Sequence, residues 1–143
     1  MIIVNLNIRG VGGGTKAKYL KSMIYKEGAK MVCLQETKTI GMSDARCYAM
    51  WGTNDVEWVH NEGRSGAGSL LTMWHKQSFI RERHVEGSGF IAIFGQHVST
   101  KLNCVVVNVY AACNLSDKVA LWEALSDLKS NTPDVGMVLL WGF

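Results

Sequence analysis

Met31-Val32-Cys33-Leu34-Gln35-Glu36-Thr37 sets a carboxylate directly at the end of an uninterrupted apolar run. The four apolar residues, following Gly28 and Lys30, read as a buried β-strand, because a strand hidden on both faces needs no polar alternation. Its Gln-Glu-Thr ending delivers an acid to the sheet edge, where open α/β folds bind their ligands. Met1 to Gly10 repeats the design: Ile2-Ile3-Val4 is apolar, then Asn5, Asn7 and Arg9 interleave with Leu6 and Ile8. A third apolar strand, Val105 to Val109, runs straight into Tyr110. Three strands ending in Asn, Glu and Tyr form a constellation suited to metal-assisted phosphoryl chemistry.

Working outward, Gly10 to Gly14 is a glycine-rich turn, and Gly14-Thr15-Lys16 has the wrong order for a phosphate-binding loop. A helix is expected from Thr15 to Glu27, with Ala17, Leu20, Met23 and Ile24 as its apolar stripe and Gly28 as its stop. This makes a β-α-β start, whose crossover is right-handed if the strands are parallel neighbours. Strands are expected at Asp55–His60, Ser69–Trp74, Phe79–Val85, Gly89–His97 and Leu102–Ala111, the last two forming an antiparallel hairpin. Ser116 caps an expected helix over Asp117–Lys129, with Val119, Trp122, Leu125 and Leu128 facing inward. Met137 to Trp141 is the last apolar strand. The order suits a layered α/β sandwich, and 143 residues without repeat or linker fit one domain.

Composition narrows the function classes only modestly. Apolar residues make up 48% and charged residues 19%, as in ordinary globular chains. A net charge of +3 is compatible with a polyanionic partner without demanding one. Lys16, Lys18, Lys21, Lys26 and Lys30 read as a solvated helix face. Cys33, Cys47, Cys104 and Cys113 form no C-x-x-C pair and have no metal-ligand spacing with the histidines. Cys33 and Cys104 read as core residues of a reduced, intracellular protein, nuclear or cytoplasmic. No signal peptide, transmembrane segment or obligate protein partner is evident in the sequence.

Leu6-Asn7-Ile8-Arg9-Gly10, Cys33-Leu34-Gln35-Glu36-Thr37, Gly63-Arg64-Ser65-Gly66 and Asn108-Val109-Tyr110-Ala111 together resemble successive motifs of the endonuclease/exonuclease/phosphatase superfamily. Within it, the likeness is to the apurinic-type endonuclease domain of LINE-like non-LTR retrotransposons of the plant type. It covers the whole chain, in order and rough spacing. The resemblance implies two packed mixed sheets flanked by helices, with residues 1–143 as the N-terminal portion of a single domain incomplete at its C-terminus. It also implies a Mg²⁺ (or Mn²⁺) cofactor and DNA as partner.

Carried onto this sequence, the resemblance makes Glu36 the metal ligand, a role its strand-end position already suggests, since a carboxylate-held cation neutralises developing phosphate charge. Asn7 orients that carboxylate and contacts the phosphate region. Tyr110 donates its phenol to a phosphate oxygen. Arg64 and Ser65 contact the nucleic-acid backbone. The chain departs from the pattern at Leu6, where Trp is usual, and at Ala112, where Pro is usual. Trp51, Trp58, Trp74 and Trp122 read as core or rim residues rather than base-stacking platforms.

Two catalytic elements of the superfamily have no counterpart. Where the pattern has Gly-Asp-Phe-Asn, this sequence reads Gly142-Phe143, and the later Ser-Asp-His element is absent. His60, His75, His84 and His97 lie outside the corresponding motif. Two readings follow: a Mg²⁺-dependent DNA endonuclease that is inactive as this chain stands, or a non-catalytic remnant or nucleic-acid-binding fragment of a mobile element. A phosphatase of the same superfamily is the minor alternative.

Overall fold

The computed structural model describes residues 1–63, 68–111 and 113–142. Alternation along the strands dictates the layering. In β2 (Met31–Gln35), Val32 and Leu34 pack against helices, whereas Met31 and Cys33 pack into the space between two sheets. In β7 (Asn103–Tyr110), Val105, Val107 and Val109 face a helix on the other side, and Val106 faces inward. Each strand serves two cores because successive side chains leave opposite faces.

Among the described residues there are two four-stranded sheets. The first joins β1 (Ile3–Asn7), β2, β4 (Leu70–His75) and β3 (Val56–Asn61) in the order β1-β2-β4-β3. The second runs β5-β6-β7-β8, with β5 at Phe79–Gly87, β6 at Phe90–His97 and β8 at Gly136–Gly142. Both sheets are mixed: β1 is parallel to β2 and β7 to β8, and the remaining pairs are antiparallel. Helices α1 (Gly14–Glu27) and α2 (Asp44–Trp51) cover the first sheet through Leu20, Ile24, Cys47 and Met50. Helix α3 (Leu115–Ser130) covers the second through Leu121 and Leu125. The result is the expected α/β sandwich of two mixed sheets flanked by helices.

Two details differ from the sequence reading. Helix α2 was not anticipated; Ser43 caps it by accepting from the Arg46 amide at 3.3 Å. Helix α3 starts earlier than expected, with Asn114 rather than Ser116 as its cap, accepting from the Asp117 amide at 2.8 Å. Val119 and Trp122 are not buried inward as expected: they are 47% and 52% exposed, and Trp122 lies against Trp141 with ring centroids 5.0 Å apart. Leu125 and Leu128 do pack against the sheet. No described helix is long and apolar enough to cross a membrane.

Candidate active site

The carboxyl ends of β1 and β2 lie side by side because the strands are parallel and in register, Asn7 opposite Gln35. Glu36 is the next residue. Gln35 belongs to the inward parity of β2, so simple alternation would send Glu36 toward the helices. Its backbone is instead left-handed, with φ of 54°, and the alternation breaks there. The carboxylate Oε1 accepts a hydrogen bond from the Tyr110 hydroxyl at 3.2 Å. Tyr110 closes β7 of the opposite sheet, so this contact spans the sandwich.

Neighbouring backbone holds Glu36 in this conformation. The Gly10 amide donates to the Glu36 carbonyl at 2.6 Å, and the Val11 amide to the Thr37 carbonyl at 2.9 Å. The Lys38 amide donates to Ser69 Oγ at 2.8 Å. Buried Thr37 sets its hydroxyl 3.0 Å from His60 Nε2. Burial holds the His60 imidazole below its usual range, with nearby Glu62 opposing and Arg46 reinforcing that shift. Lys16 is not simply a solvated lysine: its ammonium donates to the Ile8 and Arg9 carbonyls, each at 2.9 Å, and closes the β1–α1 loop.

The structure thus brings together three of the residues singled out by sequence. Asn7 ends β1 beside the Glu36 turn, and its Oδ1 accepts from the Arg9 amide at 3.2 Å. Tyr110 is held in its protonated, donating form: burial, then the facing Glu36 carboxylate, raise its phenol above the ordinary tyrosine range. Arg64 and Ser65 lie outside the described residues. Gly63 and Gly68 on either side of them line a cavity of about 520 Å³ together with Tyr110, Cys113 and Asp117. A Cβ at Gly68 would stand 3.0 Å from the Tyr110 ring, so this wall depends on glycine.

Sequence reasoning missed the floor of the site. Gln35 and Asn108 are both fully buried. Gln35 Nε2 donates to Asn5 Oδ1 at 2.6 Å and to Asn108 Oδ1 at 2.8 Å. Asn108 Nδ2 lies within 3.1 to 3.2 Å of the Leu71 and Leu34 carbonyls and Thr72 Oγ1. Asn5 Nδ2 in turn donates to the Trp141 carbonyl at 2.9 Å. Gln35 Oε1 has no hydrogen-bond partner among the described residues, a cost of about 1–3 kcal/mol for a buried acceptor. The signal was an Asn inside Val105-Val106-Val107-Asn108-Val109, a polar residue in a run otherwise suited to full burial.

As a donor set, Glu36 offers one anionic oxygen ligand beside the Asn7 strand end, and no group of three or more His, Cys, Asp or Glu side chains fit to hold a metal occurs among the described residues. A single carboxylate oxygen is a ligand that a hard divalent cation such as Mg²⁺ accepts alongside water and phosphate oxygens.

No protein-family model matches the chain. No curated protein matches it either. Solved structures do. An endonuclease/exonuclease/phosphatase family protein from Bacteroides thetaiotaomicron superposes with a TM-score of 0.73 at 8% identity, over 97% of this chain and 62% of that one. The APE2 catalytic domain of Xenopus laevis gives 0.71 at 18% identity, over 99% of this chain and 57% of that one. A mannosyl-6-phosphatase of Bacteroides thetaiotaomicron gives 0.70 at 10% identity, over 96% of this chain and 62% of that one. At such identities the likeness is one of fold, shared with proteins named as nucleases and as phosphatases. The chain spans about 57–62% of the length of these three.

Proposed function

We propose that this chain carries part of a phosphodiester-hydrolase site of the DNA-endonuclease type, related to the endonuclease domain of LINE-like retrotransposons. The observation that carries the reading is the Tyr110–Glu36 hydrogen bond at 3.2 Å, made between the two sheets beside Asn7. On this reading Glu36 would hold Mg²⁺, or Mn²⁺, which when bound would supply Lewis-acid neutralisation of charge on phosphate oxygens. Asn7 orients the phosphate region, and Tyr110 presents an O–H to a phosphate oxygen. Arg64 and Ser65 contact the nucleic-acid backbone. The notable shortfall is proton transfer. General acid–base help is worth about 10²–10⁴-fold, and among the described residues the side chain hydrogen-bonded to Glu36 is Tyr110, with no carboxylate or histidine hydrogen-bonded to it. Turnover by residues 1–143 is therefore expected to be weak or absent, with nucleic-acid binding outlasting it.

A supercoiled-plasmid nicking assay with Mg²⁺, run beside calorimetric Mg²⁺ titration, tests this. The expected result is little nicking, abolished by Glu36→Ala, and weak Mg²⁺ binding that strengthens when DNA is present. Micromolar Mg²⁺ binding or robust nicking that survives Glu36→Ala would overturn the assignment. The phosphatase reading draws on the cavity of about 520 Å³ beside Tyr110, which suits a compact phosphomonoester. Release of phosphate from small monoesters, lost in Glu36→Ala, would favour it over the nuclease.

A further inference from the structure

We propose that Asn108 and Gln35 are positioning residues: their side-chain amides form a bridge that sets the separation of the two sheets beneath the site, and so keeps Tyr110 within reach of Glu36. The proposal rests on reading Glu36 and Tyr110 as the site, and adds what holds them together. Asn108 and Tyr110 are two residues apart on β7 and share its inward face. Gln35 directly precedes Glu36. The 2.8 Å bond from Gln35 Nε2 to Asn108 Oδ1 therefore lies one step below the 3.2 Å bond from Tyr110 to Glu36, and both cross the same gap.

Burial and direction make the bridge a spacer rather than a general adhesive. Both amides are fully buried, so water cannot replace a partner that drifts away. Asn108 reaches the carbonyls of Leu34 and Leu71, which are register partners on β2 and β4, and thereby docks β7 at one point of the first sheet. Gln35 passes the connection to Asn5, and Asn5 to the Trp141 carbonyl of β8. Strands β1, β2, β4, β7 and β8 meet in this one connected set. Apolar side chains of similar volume could fill the space, but dispersion contacts have no preferred direction and would not fix the register of one sheet on the other. The set also leaves Gln35 Oε1 without a donor among the described residues. A local rule broken at the floor of a site is where a functional constraint is expected.

The test reads the Tyr110–Glu36 contact directly and needs no turnover, so it can fail or succeed independently of the hydrolase reading. The intact chain is labelled with ¹³Cζ-tyrosine, and the Tyr110 resonance is assigned with Tyr110→Phe. At one fixed pH its position is compared with that in Glu36→Gln, which removes the charge that the phenol faces. Asn108→Leu and Gln35→Met are expected to move the resonance most of the way to its Glu36→Gln position. Thr72→Val, which deletes a hydrogen bond of Asn108 outside the bridge, is expected to leave it in place. Where nicking is measurable, the two bridge variants should lower kcat about 10–100-fold with KM little changed. If Asn108→Leu fails to fold, Gln35→Met decides, because it keeps Asn108 and that residue's bonds to β2 and β4. A folded variant whose Tyr110 resonance stays at the wild-type position would reduce the bridge to a stability element and overturn the proposal.

Discussion

The two outer strands of the second sheet are built on opposite principles. β5 carries Arg81, Glu82, Arg83, His84 and Glu86, and its pairing with β6 shifts register between Arg81 and Arg83. The Arg83 guanidinium lies 3.6 Å over the Phe94 ring of the same sheet and that of Arg81 5.6 Å over Trp74 of the first sheet, so both arginines are folded onto aromatic rings. Charge, a bulge and folded-back side chains are the means by which natural sheets refuse a further strand. β8 has none of them. Gly136 to Gly142 contains no charged residue, and Val138 and Leu139 are 42% and 37% exposed. Among the described residues no strand pairs with β8 on its side away from β7. The same sheet thus has one edge that repels partners and one that invites them.

The largest expected effect comes from exchanging these characters. The wild-type chain is expected to self-associate through β8, and Val138→Lys with Leu139→Lys to shift it toward monomer, read by light scattering across a concentration series. Arg81→Val with Arg83→Val should make association worse. If the lysine pair leaves the mass distribution unchanged, β8 is not the adhesive edge.

A smaller effect sharpens the contrast in packing. At Gly95 on β6 a Cβ would fall 2.3 Å from the Ile80 carbonyl of β5 and 2.6 Å from the Phe79 ring. Gly95→Ala must push β5 outward, at about 1–3 kcal/mol or somewhat more. Gly136→Ala on β8 meets nothing within 4 Å and should cost under about 0.5 kcal/mol. Denaturant melts of the two variants measure the difference; equal losses would mean that β5 yields as freely as β8.

The smallest effect concerns β3, the outer strand of the first sheet that carries His60. Its imidazole titrates below the ordinary 6.5 because it is buried in the folded chain, so the unfolded chain takes up the proton more readily. Stability from this residue is complete above about pH 6.5 and is lost as pH falls through the lower, folded value. A melting temperature that declines from pH 7 toward 5, less steeply in His60→Gln, is the expected record. An unchanged slope in His60→Gln would assign the decline to other groups.

Features generated by neighbours in sequence were legible before the structure, and features generated by distant residues were not. The β-α-β opening, the β6–β7 hairpin and the strand ends at Asn7, Glu36 and Tyr110 all follow from local apolar runs and the residues that stop them. Helix α3 was located by its periodicity, and Leu125 and Leu128 of its inward face were read from it, but Val119 and Trp122 were not, because both are half exposed and Trp122 lies against Trp141 at the β8 edge of the sheet. Helix α2 escaped because its eight residues hold only a short apolar pattern, although Ser43 was a readable cap. The bond between Gln35 and Asn108 joins positions 73 apart, and no spacing rule connects them. The histidines, set aside by motif, include His60 against Thr37, a contact that depends on how β3 pairs with β4.

The left-handed backbone at Glu36 has an evolutionary consequence. A residue with a Cβ pays about 1–2 kcal/mol in that conformation, and glycine would pay far less. Drift at this codon toward glycine would relax the turn and strengthen the fold while deleting the acid. Selection for chemistry and selection for foldability therefore pull this position in opposite directions, and a lineage released from the first would be expected to shed the glutamate early.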